Sequence, residues 1–202
     1  MALPRPAAST AKSQQPAKSF LLELAEVLLL AVALYLVITF AVQTVHVIGY
    51  SMVPTLNNDD YVVASKIDLR LGAHLERGDI VILRDPFDSS QDFVKRVIGL
   101  PGERLRISDS HVYINDQLLT EPYLSSGEPW VVNNNWPSGA STNCGSEIPA
   151  GYYFVMGDNR NHSSDSRAFG CIRLDQIESR ALFRVLPLGK AGGLGSRPYL
   201  AG

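Results

Sequence analysis

A serine stands in an unusual setting in the segment HVIGYSMVPTL, residues 46–56. Gly49 and Pro54 flank Ser51, and each of them interrupts regular strand pairing. The other residues are largely apolar, which is not typical of an ordinary linker. A serine held at such a turn suits nucleophilic catalysis, provided that a nearby base accepts the hydroxyl proton.

Histidine is the usual base for a serine nucleophile, and the sequence has four: His46, His74, His111 and His162. His46 follows a long apolar run, where its ring can reach lipid headgroups, and His74 and His111 lie in polar, turn-like surroundings. His162 lies in GDNRNHSSDSR, residues 157–167, but no Asp or Glu is fixed by the sequence as its orienting partner. A Ser/His/Asp triad is therefore disfavoured but stays open, because spacing does not reveal triad geometry.

Lysine offers a second kind of base. Lys95 lies in DFVKRVIGLPGE, where strand alternation places Lys95 and Arg96 on opposite faces, so that one of them should point inward. The alternative is that both side chains reach solvent and stay charged, and periodicity alone favours that alternative. If Lys95 is buried, desolvation lowers its pKa, and the neutral amine can accept the proton of Ser51 near neutral pH.

The composition excludes several classes of protein. The 202 residues allow one domain of ordinary size plus extra segments. The formal net charge is −2 and no basic stripe is present, which argues against a nucleic-acid-binding protein. Cys144 and Cys171 are too few for a disulfide scaffold and lack the spacing of a zinc site. They either form one disulfide in an oxidising compartment or remain two separate thiols.

The N-terminal part of the sequence predicts a membrane anchor. Residues 1–18 are rich in Pro, Ala, Ser and Gln, a composition that predicts a disordered segment. Residues 20–42 are apolar apart from Glu23 and Glu26, and 23 residues form about 34 Å of helix, enough to cross a bilayer. We therefore predict a transmembrane signal anchor over residues 19–42.

Two alternatives to an anchor are weaker. The apolar run is too long for a typical core helix of a soluble domain or for the apolar part of a cleaved signal. The best match to a cleavage site, TFA at residues 39–41, has a bulky Phe beside the cut. Arg5, Lys12 and Lys18 predict that the short N-terminal side is cytoplasmic. The chain after about Gln43 is then extracytoplasmic.

After the anchor, the sequence predicts a mainly β domain over residues 43–187. Runs of β-branched and aromatic residues bounded by turn residues predict short antiparallel strands. These runs are YVVASKI, DIVILRD, DFVKRVIGL, RLRISDSHVYINDQLL, GYYFVMGD and ALFRVLPL. Asn115 and Asp116 predict the turn of a hairpin. The segment RLDQIESRALFR, residues 173–184, is a weak helix candidate.

Two segments carry no pattern of regular structure. Residues 125–150 have the composition of a long loop that is ordered by its contacts. Residues 188–202 are rich in glycine and predict a mobile C-terminal tail.

Five motifs resemble those of type I signal peptidases and occur in the same order. They are GYSMVPTL, DYVVASK, RGDIVIL, DFVKRVIGLPGE and GDNRNHSSDSR, and the resemblance extends over residues from about 20 to 187. Members of that family are membrane-anchored Ser/Lys proteases that cut signal peptides from exported preproteins. The resemblance implies coiled antiparallel β-sheets behind a single transmembrane helix, with no metal and no other cofactor. The partners that it implies are signal peptides of exported preproteins and the lipid bilayer, with the protein-export machinery as a further candidate and no nucleic acid.

The resemblance also implies roles for individual residues. Ser51 corresponds to the nucleophile, Lys95 to the general base, and Ser163 to a serine that hydrogen-bonds and orients the lysine. A neutral hydroxyl suits that position, because a carboxylate would raise the pKa of the lysine again. The supporting charges that the resemblance implies are the ion pair of Asp165 with Arg167 and two further structural residues, Asp158 and Arg160.

The oxyanion region and the substrate pocket follow from the same resemblance. Some members have a serine two residues before the nucleophile, where this chain has Gly49, so that the oxyanion rests mainly on the N–H of Ser51. The walls of shallow pockets for Ala-sized side chains correspond to Val45, Val47, Leu56, Phe93 and Val94. Each of these five is alternatively an ordinary core residue. An extended substrate would add as a strand along the groove. Pockets that admit only Ala-sized side chains predict cleavage after Ala-x-Ala.

Two other functions stay open at this point. A related Ser/Lys protease that cleaves itself, as repressor-type autoproteases do, is disfavoured by the anchor, because those proteins act on DNA in the cytoplasm. A non-catalytic, membrane-tethered β domain that binds exported proteins is disfavoured by the presence of both Ser51 and Lys95 in their motifs. The sequence does not distinguish the cell membrane from an internal, thylakoid-like membrane.

Overall fold

The computed structural model describes residues 17–88, 90–124, 130, 144–145, 147–194 and 197–200. The chain forms two compact units, Met1–Thr39 and Phe40–Gly202. A long helix, α1, spans Ala17–Ala41, and its stretch Phe20–Ala41 is long and apolar enough to cross a membrane. The apolar side chains of this stretch are exposed. The predicted N-terminal apolar helix is therefore present, and strand structure begins at Val42.

Short strands dominate the rest of the described chain. In order, the elements are β1 Val42–His46, β2 Tyr61–Ser65, α2 Ile67–Arg70, β3 Ile80–Arg84, β4 Asp92–Gly99, β5 Leu105–Ser108, β6 His111–Ile114, β7 Gln117–Thr120, β8 Tyr152–Met156, α3 Ser166–Phe169, β9 Ile172–Arg173, β10 Ile177–Leu186 and β11 Tyr199–Leu200. Two 3₁₀ turns, Leu174–Gln176 and Leu188–Lys190, flank β10. The predicted mainly β class is confirmed.

The strands form two antiparallel sheets. The larger has the order β1-β2-β10-β3-β4-β8-β9, and the smaller has the order β11-β7-β6-β5. The predicted hairpin joins β6 and β7, where Asn115 and Asp116 both have positive φ, as a two-residue hairpin turn requires. β1 lies at one edge of the larger sheet and pairs only with β2.

Both faces of β4 are covered, which sequence alternation alone did not predict. Val97 packs into a core with β3 and β8, whereas Ile98, on the opposite face, packs into the core of the smaller sheet. Lys95 shares the face of Val97, and Arg96 shares the face of Ile98. Both charged side chains are consequently buried, with 2% and 1% of their surface exposed. The sequence predicted that one of these two side chains points inward, with solvent exposure of both as the alternative, and the structure shows instead that both are buried.

The weak helix candidate at residues 173–184 is wrong. Apart from the 3₁₀ turn at Leu174–Gln176, this segment belongs to β9 and β10, and β10 lies between β2 and β3 within the larger sheet. Its burial alternates from residue to residue along the first half of β10. Pairing on both edges outweighs the weak local helical pattern.

The structure describes only part of the predicted loop, residues 125–150, and most of the predicted tail, residues 188–202. Most of residues 125–150 lie outside the described residues, but Cys144 is described and forms a disulfide with Cys171. This bond resolves the open question of the two thiols. In the C-terminal segment, Tyr199 and Leu200 form β11 beside β7, and Arg197 forms ion pairs with Glu76 and Asp79. The mobility predicted for residues 188–202 stays a prediction.

Candidate active site

Three segments meet at the candidate site. The turn-rich connection between β1 and β2 carries Ser51, the middle of β4 carries Lys95, and the loop between β8 and α3 carries Ser163. The Asn159 N–H donates to the Ser51 carbonyl oxygen at 2.9 Å and joins the first of these segments to the third. Residues that lie 44 and more positions apart in the sequence are thereby held together.

Ser51 and Lys95 are in direct contact. The distance from Lys95 Nζ to Ser51 Oγ is 3.0 Å, and the Phe93 ring lies 4.7 Å from the same nitrogen. Burial lowers the pKa of Lys95 to about 8, and the nearby charges, led by Asp165, only partly oppose this effect. A lysine with this pKa is neutral in a useful fraction of molecules near neutral pH, so it can act as a base.

The turn that carries Ser51 presents a free N–H beside the hydroxyl. The Gly49 N–H donates to Asn58 Oδ1 at 2.8 Å, and Gly49 has a φ of 101°, a value that favours glycine. The Ser51 N–H donates to no acceptor in the described part of the chain. It is therefore free to bind an oxyanion, whereas the Gly49 N–H is already used.

Ser163 lies across Gly157 from the Ser51 backbone and does not hydrogen-bond to Lys95 in this structure. Its Oγ is buried and has no hydrogen-bond partner among the described residues, although it lies close enough to Asp165 to help lower the pKa of that carboxyl. Gly157 separates Ser163 from Ser51, and a Cβ at Gly157 would lie 2.5 Å from both Ser163 Cβ and the Ser51 carbonyl oxygen. The orienting role of Ser163 stays a prediction.

Asp165 organises the loop around Ser163. Its carboxylate accepts hydrogen bonds from Arg167 Nε and Nη2, both at 2.8 Å, and from the Gly157 N–H at 3.0 Å. It also caps α3 by accepting from the Arg167 N–H. Burial alone would raise the pKa of Asp165, but these donors and the Arg167 charge hold it below its ordinary value. The expected contact between Asp165 and Arg167 is present.

The other two expected charges do not pair with each other. Asp158 forms a fully buried ion pair with Arg96, with 2.9 and 2.7 Å between their atoms. Arg160 forms a buried ion pair with Glu121. Sequence reasoning named neither Arg96 nor Glu121 as a partner. The Arg96–Asp158 pair could have been suggested by the position of Arg96 next to Lys95, because a second inward charge on β4 needs a carboxylate partner.

We predict that Asp158→Asn lowers the free energy of unfolding by about 3–5 kcal/mol, because Arg96 would be left as an uncompensated buried charge. The matched control is Asp116→Asn, which breaks the exposed pair with Arg104 and should change the free energy by less than about 0.5 kcal/mol. Urea unfolding of the detergent-solubilised protein measures both. Equal losses in the two variants would contradict the importance of the buried pair.

A groove of about 650 Å³ leads to Ser51 and Lys95. Val45, Val47, Phe93 and Val94 line it, as expected from the resemblance. Leu56 does not: it is fully buried in the core behind the groove, packed with Met52 and Val47, and its expected place in the pocket is not observed.

Two strands offer free edges to this groove. Among the described strands, β1 pairs only with β2, and the first half of β4 pairs only with β3, because its pairing with β8 starts at Arg96. Unpaired edges of this kind can hydrogen-bond to an extended peptide.

The structure does not place a described histidine as a base for Ser51. His162 lines the groove, but its Nδ1 lies 3.2 Å from Asn159 Oδ1, and His46 pairs with Asp59. No hydrogen bond joins a histidine to Ser51 in the described part of the chain. Among the same residues, no group of three or more His, Cys, Asp or Glu side chains is placed to hold a metal ion.

Comparison with known proteins identifies the family. The family model described as signal peptidase, peptidase S26, matches residues 21–186. The chain belongs to this family. Signal peptidase I of Leptolyngbya laminosa is 34% identical over 201 residues, which cover 96% of this chain and 93% of that protein. Signal peptidase IB of Staphylococcus aureus is 35% identical over 169 residues, which cover 79% of this chain and 85% of that protein.

A solved structure of a signal peptidase I from Enterococcus faecalis is also similar. The two sequences are 33% identical, the matched region covers 53% of this chain and 96% of the Enterococcus faecalis chain, and the TM-score is 0.46. The relationship to type I signal peptidases implied by the five motifs is thus confirmed by the family model and the relatives. The signal peptidase is a hydrolase that processes signal peptides, and its N-terminal apolar helix is consistent with a membrane-anchored protein.

Proposed function

We propose that this signal peptidase is a Ser/Lys endopeptidase in which Ser51 is the nucleophile and neutral Lys95 is the general base. The observation that carries the proposal is the 3.0 Å contact between Lys95 Nζ and Ser51 Oγ on a lysine that is almost fully buried. Burial favours the neutral amine, and the contact places it where it can accept the hydroxyl proton.

The reaction begins when Ser51 Oγ attacks the scissile carbonyl carbon and its proton moves to Lys95 Nζ. The developing oxyanion accepts a hydrogen bond from the Ser51 N–H. The lysinium then gives its proton to the leaving amine, which releases the mature protein and leaves an acyl group on Ser51. Water, deprotonated by Lys95, attacks this ester, and the serine and the signal peptide carboxylate are formed.

The substrate in this proposal is an extended segment with Ala-x-Ala before the cut. The segment lies between the free edges of β1 and β4, where main-chain hydrogen bonds supply affinity. Alternate side chains of the segment face the apolar walls formed by Val45, Val47 and Val94. One extra methylene in such a pocket is discriminated by about 1–3 kcal/mol, which favours alanine.

We further propose that the catalytic unit is extracytoplasmic. Arg5, Lys12 and Lys18 precede the apolar span, and positive charges on a short flanking segment favour its cytoplasmic side. The groove then opens on the side of the membrane where an exported preprotein emerges, with its signal peptide still in the bilayer.

The proposal is tested by incubating the detergent-solubilised protein with a preprotein whose signal peptide ends in Ala-x-Ala. We expect one cut directly after the second alanine, identified by the mass and N-terminal sequence of the product. Binding without cleavage would favour the non-catalytic membrane-tethered domain. Cleavage only within its own chain would favour the self-cleaving protease.

Val94→Ala is predicted to relax the preference for alanine next to the cut. Removing two methyl groups from the groove wall should let Val or Leu substrates gain about tenfold in kcat/KM relative to the Ala substrate. The matched control is Val63→Ala, a half-buried valine of β2 that does not line the groove. Competition between paired substrates measures the preference, and an unchanged ratio in Val94→Ala would remove this residue from the pocket.

A further inference from the structure

A second cavity, of about 880 Å³, shares no lining residue with the substrate groove. α2, the turn before β8 and the connection from β9 to β10 form its walls. Its charged lining residues are Lys66, Arg70, Arg173, Asp175 and Glu178. The volume lies within the range of about 300–1,000 Å³ that is usual for small-molecule sites.

Hydrogen bonds join two residues that line the cavity to the C-terminal end of the apolar span. The Lys66 N–H donates to the Ala41 carbonyl oxygen at 2.8 Å, and Arg70 Nη1 donates to the Phe40 carbonyl oxygen at 3.3 Å. The Arg70 guanidinium also lies 4.3 Å from the centre of the Phe40 ring. Phe40 and Ala41 are the last two residues of the apolar span. Lys66, which immediately precedes α2, and Arg70, its last residue, are therefore held beside the end of the apolar span, which is the depth of the lipid headgroups when that span crosses a bilayer.

Two cations that line the cavity have no carboxylate within ion-pair distance among the described residues, although the Lys66 charge acts on Asp92, where it partly offsets the burial that raises the pKa of that carboxyl. Arg173 pairs with Asp175, and Glu178 pairs with Arg84. Neither Lys66 nor Arg70 forms an ion pair with a described side chain. The lining therefore holds three cations and two carboxylates and carries a net positive charge, which attracts anionic lipid.

Apolar side chains continue from the cavity along α2. Leu69 lines the cavity itself, while Ile67 and Leu71 are 37% and 80% exposed. A short helix that has Lys66 as its N-cap, Arg70 as its last residue and exposed apolar residues beside them suits the boundary between headgroups and acyl chains. A soluble anion would make no use of these apolar side chains.

We propose that this cavity binds the headgroup of an anionic phospholipid. Its phosphate accepts charge-assisted hydrogen bonds from Lys66 Nζ and the Arg70 guanidinium, and its acyl chains pass Ile67 and Leu71 into the bilayer. The bound lipid then holds α2 at the depth of the headgroups. It thereby also sets the depth at which the apolar span ends.

The test uses the full-length protein in detergent micelles and native mass spectrometry. We expect dimyristoyl phosphatidylglycerol to bind with a dissociation constant about 30-fold lower than that of dimyristoyl phosphatidylcholine. Lys66→Gln/Arg70→Gln should abolish this preference. Lys66→Gln alone, which leaves the contact between Arg70 and Phe40 intact, should reduce it about fivefold. The matched control, Arg106→Gln/Lys190→Gln, removes the same charge outside the cavity and should keep the preference.

Several results would overturn the lipid site. They are the absence of a preference in the unmodified protein, an equal loss in the control variant, a preference that survives in Lys66→Gln/Arg70→Gln, or displacement of the lipid by inorganic phosphate. Urea unfolding reports whether the double variant is folded. If it is not folded, the result for Lys66→Gln alone decides the question. Lipid binding is measured without catalysis, so its outcome is independent of the Ser51–Lys95 mechanism.

Discussion

Ser51→Ala and Lys95→Arg are each expected to lower kcat/KM for preprotein cleavage by at least about 10⁴-fold. The first removes the attacking oxygen. The second keeps a cation in the same place, but a guanidinium does not lose its proton at working pH and cannot serve as a base. Because Ser51 and Lys95 act as a unit, the double variant should be little worse than either single one. Initial rates on an Ala-x-Ala preprotein measure the effect.

The matched control for the lysine is Lys190→Arg, an exposed position outside the groove, which should leave kcat/KM unchanged. Unfolding measurements on each variant establish that it is folded under the assay conditions, so that lost activity is not lost structure. Full activity of Lys95→Arg, or its retained activity together with complete loss in His162→Ala, would assign the base to histidine.

Gly157→Ala is expected to lower kcat/KM by about 10²-fold or more, although the three atoms nearest to the new methyl group belong neither to the Ser51 hydroxyl nor to Lys95. The added Cβ would meet Ser163 Oγ and would lie 2.5 Å from both Ser163 Cβ and the Ser51 carbonyl oxygen. These atoms belong to the backbone of Ser51 and to a side chain whose Oγ is buried, so either the turn that carries Ser51 or the loop that carries Ser163 must shift. We expect this shift to displace Ser51 Oγ from Lys95 Nζ. A displacement of about 1 Å costs roughly this factor in rate.

The control for this substitution is Gly189→Ala, where an added Cβ has no atom within 4 Å. Neither glycine has a positive φ, so the comparison isolates steric crowding from backbone strain. Steady-state kinetics should show the loss in kcat rather than in KM for Gly157→Ala. Unmodified kinetics in this variant would show that the Ser51 turn is not held by the loop that carries Ser163.

The sequence was sufficient to predict the turn that carries Ser51 and the β6–β7 hairpin, because the signals for both are local. Gly49, Ser51 and Pro54 define an apolar turn, and the Asn115–Asp116 pair defines a hairpin turn, without reference to distant residues. The order of the motifs then identified the family that the comparison confirmed.

The choice of long-range partners could not be predicted in the same way. Arg96 and Asp158 are 62 residues apart, and Arg160 and Glu121 are 39 apart, so only the folded sheet brings them together. Alternation along β4 assigned Lys95 and Arg96 to opposite faces, but what covers each face depends on β8 and the smaller sheet.

The pH dependence of kcat/KM tests the central claim most directly. A base with a pKa of about 8 must lose its proton before it acts, so the logarithm of kcat/KM should rise with unit slope below about pH 8 and level off above it. At pH 7 the rate should be roughly a tenth of its plateau. An acid limb that stays flat down to about pH 5, where carboxylates begin to titrate, would contradict a neutral Lys95 as the base.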